Sequence, residues 1–214
     1  MAGSVTTFGD TDAWNTPAPL LALVRTVMAG IDVDPASNVE AQAVVRAATF
    51  YTLETDGLAH QWPGRVFVNP PYSDPAPFIA KLLVELDAGR TTEAIVLVNA
   101  RTGAGWFQSL AVRAWRCELR QRVKFWRPER PGGSAGRSCS VAFYVGPNAR
   151  RFTRAFRPLG TVTAPAPANR NAGSCSVCGG PVEASRRDAA HCSTKCRMRA
   201  YRSRKRLASP SRAA

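Results

Sequence analysis

The sequence predicts an α/β fold with a mostly parallel sheet, followed by a small C-terminal module. Short apolar runs alternate with segments of helical spacing, which is typical of this fold class. One apolar run, residues 66–68, stops at the tetrapeptide Asn69-Pro70-Pro71-Tyr72, where two consecutive prolines prevent further strand or helix. The module is predicted from four cysteines grouped after residue 173, in a chain whose 214 residues suffice for one sizeable core.

The elements of the sheet domain follow from apolar spacing and from helix-capping residues. The first helix is predicted to begin with Thr16 as N-cap and Pro17 as its first residue, with leucine and valine on its apolar face. The elements predicted after it are a strand at 31–34, a helix at 39–50, a strand at 66–68, a helix at 78–88, and strands at 94–98 and 138–145. Residues 127–137, rich in proline, glycine and arginine, are predicted to form a mobile loop.

A stretch rich in proline and alanine divides the chain. We predict a first domain at residues 1–157, a linker at 158–173, and a module with a basic tail at 174–214, because the linker offers little that could fill a core. No apolar stretch reaches membrane-spanning length and no signal-peptide pattern is present, so we expect a soluble protein of the cytoplasm. The sequence indicates no particular oligomeric state.

The positive charge of the chain is concentrated toward its C-terminus. Of a formal net charge of +14, residues 1–149 contribute +1 and residues 150–214 contribute +13. A basic segment of this kind typically contacts a polyanion, most often nucleic acid, and the alternative is a solvated, disordered tail. The charge asymmetry therefore favours a nucleic-acid partner.

The cysteine spacing after the linker indicates a structural metal site. Two, 13 and three residues separate the four successive cysteines Cys175, Cys178, Cys192 and Cys196. Four thiolates at such spacing can close a tetrahedral zinc site, and zinc would stabilise a module too small to fold on its own core. The alternative is four free cysteines in a disordered tail, and His191 is a further possible ligand, although four thiolates already complete the site. Cys117 and Cys139 are predicted to be inert buried thiols.

A strongly basic stretch follows the last cysteine and is compatible with a helix. Its cationic residues are candidates for phosphate contact, and the alternative is a solvated, charged helix end. The predicted nucleic-acid contacts in this stretch are Arg197, Arg199, Arg202, Arg204, Lys205 and Arg206.

The corner Asn69-Pro70-Pro71-Tyr72 is predicted to be the catalytic site. It follows the carboxyl end of a strand, where open α/β sheets bind their ligands. An exocyclic amine of a nucleobase is a poor nucleophile, and the Asn69 side-chain oxygen and the Pro70 carbonyl could together stabilise its attacking form. The Tyr72 ring could stack on a base that has left the duplex. The alternative is a proline-rich corner that only packs.

Five segments in this order resemble the phage-type DNA N6-adenine methyltransferases, often called Dam-like. They are Trp14-Asn15-Thr16-Pro17, Asp32-Val33-Asp34-Pro35-Ala36-Ser37, Asp56-Gly57-Leu58, residues 66–72 and Ala100-Arg101-Thr102. The resemblance covers roughly residues 10–147. It implies a Rossmann-like methyltransferase sheet, S-adenosylmethionine as methyl donor, and adenine in double-stranded DNA as acceptor.

The resemblance also implies roles for individual residues. Those expected around S-adenosylmethionine are Thr16, Pro17, Asp34, Pro35, Ser37 and Asp56. Arg101, after the 94–98 strand, is expected to contact DNA or to line the site. The 34–38 loop lacks the glycines of the cofactor loop in larger amino-methyltransferases. Because Asp32 and Asp34 alternate along a strand, one of them is expected to face away and to pair structurally.

Three functions are consistent with these observations. The leading hypothesis is a site-specific DNA adenine N6-methyltransferase with an appended zinc module that contacts DNA. The second is methylation of another planar amine, such as cytosine N4, an RNA base or a protein glutamine, because these chemistries share the Asn-Pro-Pro-Tyr motif. The third is a zinc-dependent DNA-binding protein whose α/β domain is inactive.

Overall fold

The computed structural model of the chain describes residues 14–135, 139–165, 177, 191 and 193–207. It divides into two compact units, Met1–Pro165 and Ala166–Ala214. In the first unit the helices are α1 (Ala18–Met28), α2 (Val39–Val45), α3 (Ala76–Asp87), α4 (Gly105–Ala111) and α5 (Ala149–Phe156). Its strands are β1 (Val33–Asp34), β2 (Thr49–Phe50), β3 (Gly64–Val68), β4 (Thr91–Asn99), β5 (Trp115–Leu119), β6 (Lys124–Arg127), β7 (Arg130–Ala135), β8 (Ser140–Val145) and β9 (Gly160–Thr163).

Seven of these strands form one sheet in the order β2-β1-β3-β4-β8-β5-β9. The first four are mutually parallel, β8 is antiparallel to both β4 and β5, and β9 is antiparallel to β5. Five of the seven strands therefore point in one direction, which agrees with the predicted α/β class. The carboxyl ends of β1, β3, β4 and β5 and the amino ends of β8 and β9 share one edge, called here the site edge.

Helices cover both faces of this sheet because its central strands bury both faces. Along β3, Phe67 packs into a core with α1, α2 and α5, whereas its neighbours Val66 and Val68 pack into a second core with α3 and α4. The same alternation continues in β4, where Ile95 enters the first core and Val96 the second. The result is a three-layer arrangement that holds the end of β3 rigidly.

The first helix has the predicted apolar face, but it begins one residue later than predicted. Its buried residues are Leu20, Leu21, Val24, Val27 and Met28. Pro17, at φ −69° and ψ 147°, is the N-cap, and the prediction of Thr16 as N-cap is wrong. Thr16 is held outside the helix because its carbonyl accepts a hydrogen bond from the Trp126 indole at 3.2 Å.

The helix predicted at 39–50 is wrong beyond Val45. Arg46 adopts a left-handed conformation with φ 56° and ends the helix. The Arg25 guanidinium donates to the carbonyls of Val44 and Val45 at 2.8 and 3.2 Å, so these helix-end acceptors are satisfied from outside the helix. The chain then continues as β2, an edge strand parallel to β1.

The segment predicted as a mobile loop at 127–137 is wrong over its described part, because β6 and β7 form an antiparallel hairpin. Gly133 allows it with φ 75°, since a Cβ there would lie 2.9 Å from the Phe125 carbonyl. Residues 136–138 lie outside the described residues.

The predicted linker at 158–173 begins inside the first unit. Residues 160–163 form β9, whose partner in the sheet is β5. The sheet thus extends past the predicted domain end at residue 157, and residues 166–173 lie outside the described part of the chain.

Cys117 is buried as predicted, whereas Cys139 is exposed, so its prediction as a buried thiol is wrong. Within the described residues, no helix has the length and apolar character needed to cross a membrane.

In the second unit, the predicted basic helix is α6 (Thr194–Leu207). Cys196 lies in its first turn, where its backbone N–H donates to the Ser193 hydroxyl at 3.3 Å. The other three predicted metal ligands, Cys175, Cys178 and Cys192, lie outside the described residues, and so do the side chains at 202–206. Among the residues that are described, no group of three or more metal-ligating side chains occurs. Arg197 and Arg199 are exposed.

Candidate active site

The side chain of Asn69 is fixed in orientation directly after β3. Its Nδ2 donates a hydrogen bond of 3.0 Å to the Trp14 carbonyl. Since a carbonyl can only accept, this contact assigns the nitrogen to Trp14 and leaves Oδ1 pointing elsewhere. Oδ1 is buried and has no hydrogen-bond partner within the described residues. The corner therefore presents one oriented acceptor with unused lone pairs.

The segment that holds Asn69 is itself braced from two sides. Asn15 forms a two-way backbone bridge with Trp126 of β6, with N···O distances of 2.8 and 3.0 Å. The Asn15 side-chain oxygen accepts from Asn38 Nδ2 at 2.8 Å. The guanidinium of Arg127 lies 4.7 Å from the ring centroid of Trp14. These contacts fix the Trp14 carbonyl and, through it, the Asn69 amide.

Tyr72 places its ring at the site edge and its hydroxyl in the interior. The ring meets Phe125 of the hairpin edge-to-face, with centroids 5.6 Å apart. The hydroxyl is buried, and burial raises the pKa of Tyr72 above its usual value, while the adjacent Ser140 hydroxyl acts in the opposite direction. Neither hydroxyl completes a hydrogen bond of ordinary geometry with the described residues. Tyr72 is thus a neutral, half-buried ring anchored between β3 and the hairpin.

The loop after β1 is held by its own polar side chains. Asp34 is 2% exposed and accepts a hydrogen bond from Gln42 Nε2 at 3.1 Å. The same nitrogen lies 2.7 Å from the Ser37 hydroxyl. Burial raises the pKa of Asp34 to about 6, and its hydrogen bonds oppose that rise. Asp34 and Pro35 are therefore buried within the loop, while Ser37 is half-buried.

The turn that contains Asp56 lies against this loop. A Cβ on Gly57 would overlap the Pro35 carbonyl, so only glycine allows the approach. Asp56 is exposed and its carboxylate accepts from the Leu58 N–H at 3.0 Å. Asp32, by contrast, forms a two-point ion pair with Arg65, at 2.6 and 2.9 Å, as expected for the aspartate that faces away.

Four buried side-chain oxygens at this edge have no hydrogen-bond partner within the described residues. They are Thr16 Oγ1, Asn69 Oδ1, Tyr72 OH and Ser140 Oγ. A buried polar atom without a partner costs free energy, and a group of them indicates that something else satisfies them, such as a ligand or ordered water. Three of the four belong to residues that the sequence predicted.

Comparison with known proteins identifies the family of this chain. Residues 3–162, well over half of the chain, match the family described as DNA N-6-adenine-methyltransferase (Dam). The chain belongs to this Dam family. A DNA N-6-adenine-methyltransferase of Escherichia phage T1 is 29% identical over 98 residues, which are 45% of this chain and 39% of the phage protein. The Dam chain thus matches well under half the length of that relative.

The Dam match extends into β9, so it includes the site edge and all helices of the first unit. Arg101 lies exposed just beyond β4 at this edge, and the Ala100 N–H donates to the Cys139 carbonyl at 2.9 Å. The structure brings the Thr16 segment, the Asn69 corner and the 34–38 loop together. The basic helix α6 belongs to the other unit.

Sequence reasoning missed two contributors to the Dam site. The Trp14 carbonyl is a backbone group, and every residue has one, so the residue type at position 14 does not indicate this role. Trp14 does stand in one of the motif segments. Ser140 was assigned only to a strand. Its pairing with Asn99 across β4 and β8, which puts it at the site edge, could not be read without the antiparallel topology.

Proposed function

We propose that this chain is a DNA adenine N6-methyltransferase that acts on an adenine flipped out of double-stranded DNA. The observation that carries the proposal is the Asn69 carboxamide. Its nitrogen is committed to the Trp14 carbonyl and its buried oxygen is left as an acceptor. The membership in the Dam family supports adenine in DNA as the substrate.

The chemistry asked of Asn69 is electrostatic. An adenine amine must become pyramidal before its nitrogen can attack, and an acceptor aimed at one of its hydrogens favours that geometry. Asn69 Oδ1 supplies that acceptor, with the Pro70 carbonyl as the proposed second. Pro71 keeps the corner rigid, and the Tyr72 ring offers a face on which the flipped base stacks. The amine proton is lost to water after transfer, so no strong base in the protein is required.

S-adenosylmethionine, when bound, supplies the methyl group. The residues present fit it, because Thr16 is 3% exposed and its hydroxyl has no partner among the described residues. We place Thr16 and Pro17 beside the donor, with Pro35 and Ser37 of the β1 loop and Asp56 of the adjoining turn completing the binding site. Asp34 positions that loop from inside, through Gln42.

The test is methyl transfer from labelled S-adenosylmethionine to unmethylated duplex DNA, with analysis of the product nucleosides. Wild type is expected to yield N6-methyladenine, and Asn69→Ala is expected to lower kcat at least about a hundredfold, as for other preorganised polar groups. Thr26→Ala is the control, because its exposed hydroxyl donates to the Ala22 carbonyl within α1 and lies outside the site. Full activity of Asn69→Ala, or a product other than N6-methyladenine, would contradict the proposal.

We also propose that Cys175, Cys178, Cys192 and Cys196 bind one structural zinc ion in the second unit. The donor set fits, since four thiolates satisfy the tetrahedral preference of zinc, and Cys196 lies at the start of α6. Elemental analysis of the full chain should find about one zinc per molecule. Cys175→Ser and Cys192→Ser should each lose it, whereas Cys139→Ser should retain it. Equal metal content in all variants would exclude these ligands.

A further inference from the structure

The basic residues of the chain are not confined to its C-terminal tail. Arg150, Arg151, Arg154 and Arg157 lie in or directly after α5, within the first unit. With α5 assigned there, Met1–Pro165 carries a formal charge of +5 and Ala166–Ala214 carries +9. No acidic residue occurs between Glu129 and Glu183. A substantial part of the basic excess is therefore attached to the sheet that bears the candidate active site.

The helix α5 separates its apolar and cationic residues completely. Phe152 and Phe156 are fully buried, while all four arginines are exposed. Arg150, Arg154 and Arg157 stand at positions i, i+4 and i+7, so they form one row about 10 Å long. None of the four forms an ion pair with a carboxylate of the described residues. Their charges are thus available to a partner.

The row lines an open groove of about 1140 Å³, which also includes the half-buried ring of Trp115 and the side chain of Asn148. The groove runs along α5. Arg157 precedes Gly160 by three residues, and Gly160 pairs with Leu119, the last residue of β5. Helix α5 therefore starts at the opposite edge of the sheet and ends at the site edge, beside β9, which lies four strands across the sheet from β3.

We propose that α5 and its groove form a second DNA-contact surface, which holds the phosphate backbone of the duplex beside the methylation site. This inference rests on the proposed function. Successive phosphates of one strand rise about 3.4 Å along the duplex axis, so a 10 Å row of arginines matches about three of them. Exposed guanidinium groups without acidic partners suit phosphates, and contacts of this kind fix the position of a duplex without reading its sequence.

The test compares two doubly substituted full-length proteins that lose the same charge. Arg150→Gln with Arg154→Gln removes two arginines of the row. The control, Arg46→Gln with Arg113→Gln, removes two exposed arginines elsewhere, one directly after α2 and one in the turn after α4. Fluorescence anisotropy with a labelled random-sequence duplex gives Kd over a range of salt concentrations. The α5 variant is expected to bind roughly tenfold more weakly and to lower the salt slope by about two, at about 0.9 per phosphate contact. The control is expected to stay within about twofold of wild type.

Equal Kd and equal salt slope in the two variants would overturn the α5 surface. Methyl transfer at saturating DNA is measured in parallel, and the α5 variant should keep the wild-type kcat because none of its arginines is part of the Asn69 site. If wild type binds duplex without methylating it, the proposed function fails, yet the binding comparison still decides the role of α5. If all proteins methylate and bind alike, only the α5 surface fails.

Discussion

At the scale of single residues, the site depends on how a side-chain amide is turned. Asn69 could present either end of its carboxamide to a substrate, and only the oxygen is useful to an amine. The Trp14 carbonyl settles the choice by occupying the nitrogen at 3.0 Å. The backbone carbonyl of a residue 55 positions earlier in the chain therefore determines that Asn69 offers an acceptor, rather than a donor, to the site.

Tyr72 provides a residue-scale prediction that separates its ring from its hydroxyl. Tyr72→Phe should keep kcat and KM for DNA within about threefold, because the proposed stacking uses the face of the ring, whereas the buried hydroxyl points toward Ser140. Tyr72→Ala should raise KM at least about tenfold, since base–aromatic stacking contributes about 1–3 kcal/mol. Steady-state kinetics with varied duplex concentration measures both. A large defect in Tyr72→Phe would assign the role to the hydroxyl instead.

At the scale of elements, the spacing of apolar residues correctly predicted the helices and strands in which that spacing is regular. The helix at Ala76–Asp87 and the strands β3 and β4 stand where predicted, because continuous or helically spaced apolar residues leave few alternatives. Helix α5 was missed because only its two phenylalanines are buried and three of its eight residues are arginines, so its apolar spacing is hard to recognise. The hairpin was missed because proline and glycine usually indicate loops. Its strands are stabilised by Asn15, a contact that no local pattern contains.

Helix α3 carries a buried carboxylate with a defined pH dependence. Glu85 is 0% exposed and pairs with Arg90 at 2.5 Å and Lys81 at 2.6 Å. The hydrogen bond from Arg90 is the main reason that its pKa falls to about 2. A lowered pKa in the folded state stabilises the fold above the unfolded pKa near 4.5, and this contribution is lost as pH falls toward 2.

Glu85→Gln should therefore lower the free energy of unfolding by roughly 3 kcal/mol near neutral pH, because it leaves Arg90 and Lys81 without their buried partner. The difference from wild type should shrink by more than half at about pH 3. Urea unfolding at both pH values measures it. Asp87→Asn, which breaks the exposed pair with Arg113, is the control and should leave the free energy of unfolding almost unchanged at both pH values. A pH-independent penalty in Glu85→Gln would contradict the assignment.

At the scale of the whole molecule, the boundary of the first unit differs from the proline-rich linker that the sequence suggested. Strand β9 pairs with β5 through residues 160–163, and a Cβ on Gly160 would overlap the Glu118 carbonyl. Composition could not reveal this, because Thr-Val-Thr is too short a strand to stand out beside the prolines that follow it. Strand β9 is the last strand on one side of the sheet, so the sheet has all seven of its strands only when β9 is included.

Two truncations test this boundary. A protein that ends at Pro165 should unfold cooperatively and bind S-adenosylmethionine, because it keeps every described strand of the first unit. A protein that ends at Arg157 lacks β9, exposes the edge of β5 and should lose cooperative unfolding or aggregate. Circular dichroism melting and calorimetry with S-adenosylmethionine measure both. Equal melting of the two proteins would show that β9 contributes nothing to the fold.

The bridge between Asn15 and Trp126 also determines when, during synthesis of the chain, the Asn69 corner can be completed. Trp14 is held in place by a hairpin that the ribosome adds long after the Asn69 corner has been synthesised. At ordinary rates of translation, the corner waits roughly 3 to 11 seconds before Trp126 is added. A nascent chain that has not yet reached Trp126 therefore lacks the bridge that holds Trp14 and, through it, the Asn69 amide. The Asn69 amide can be oriented only after more than half of the chain has been synthesised.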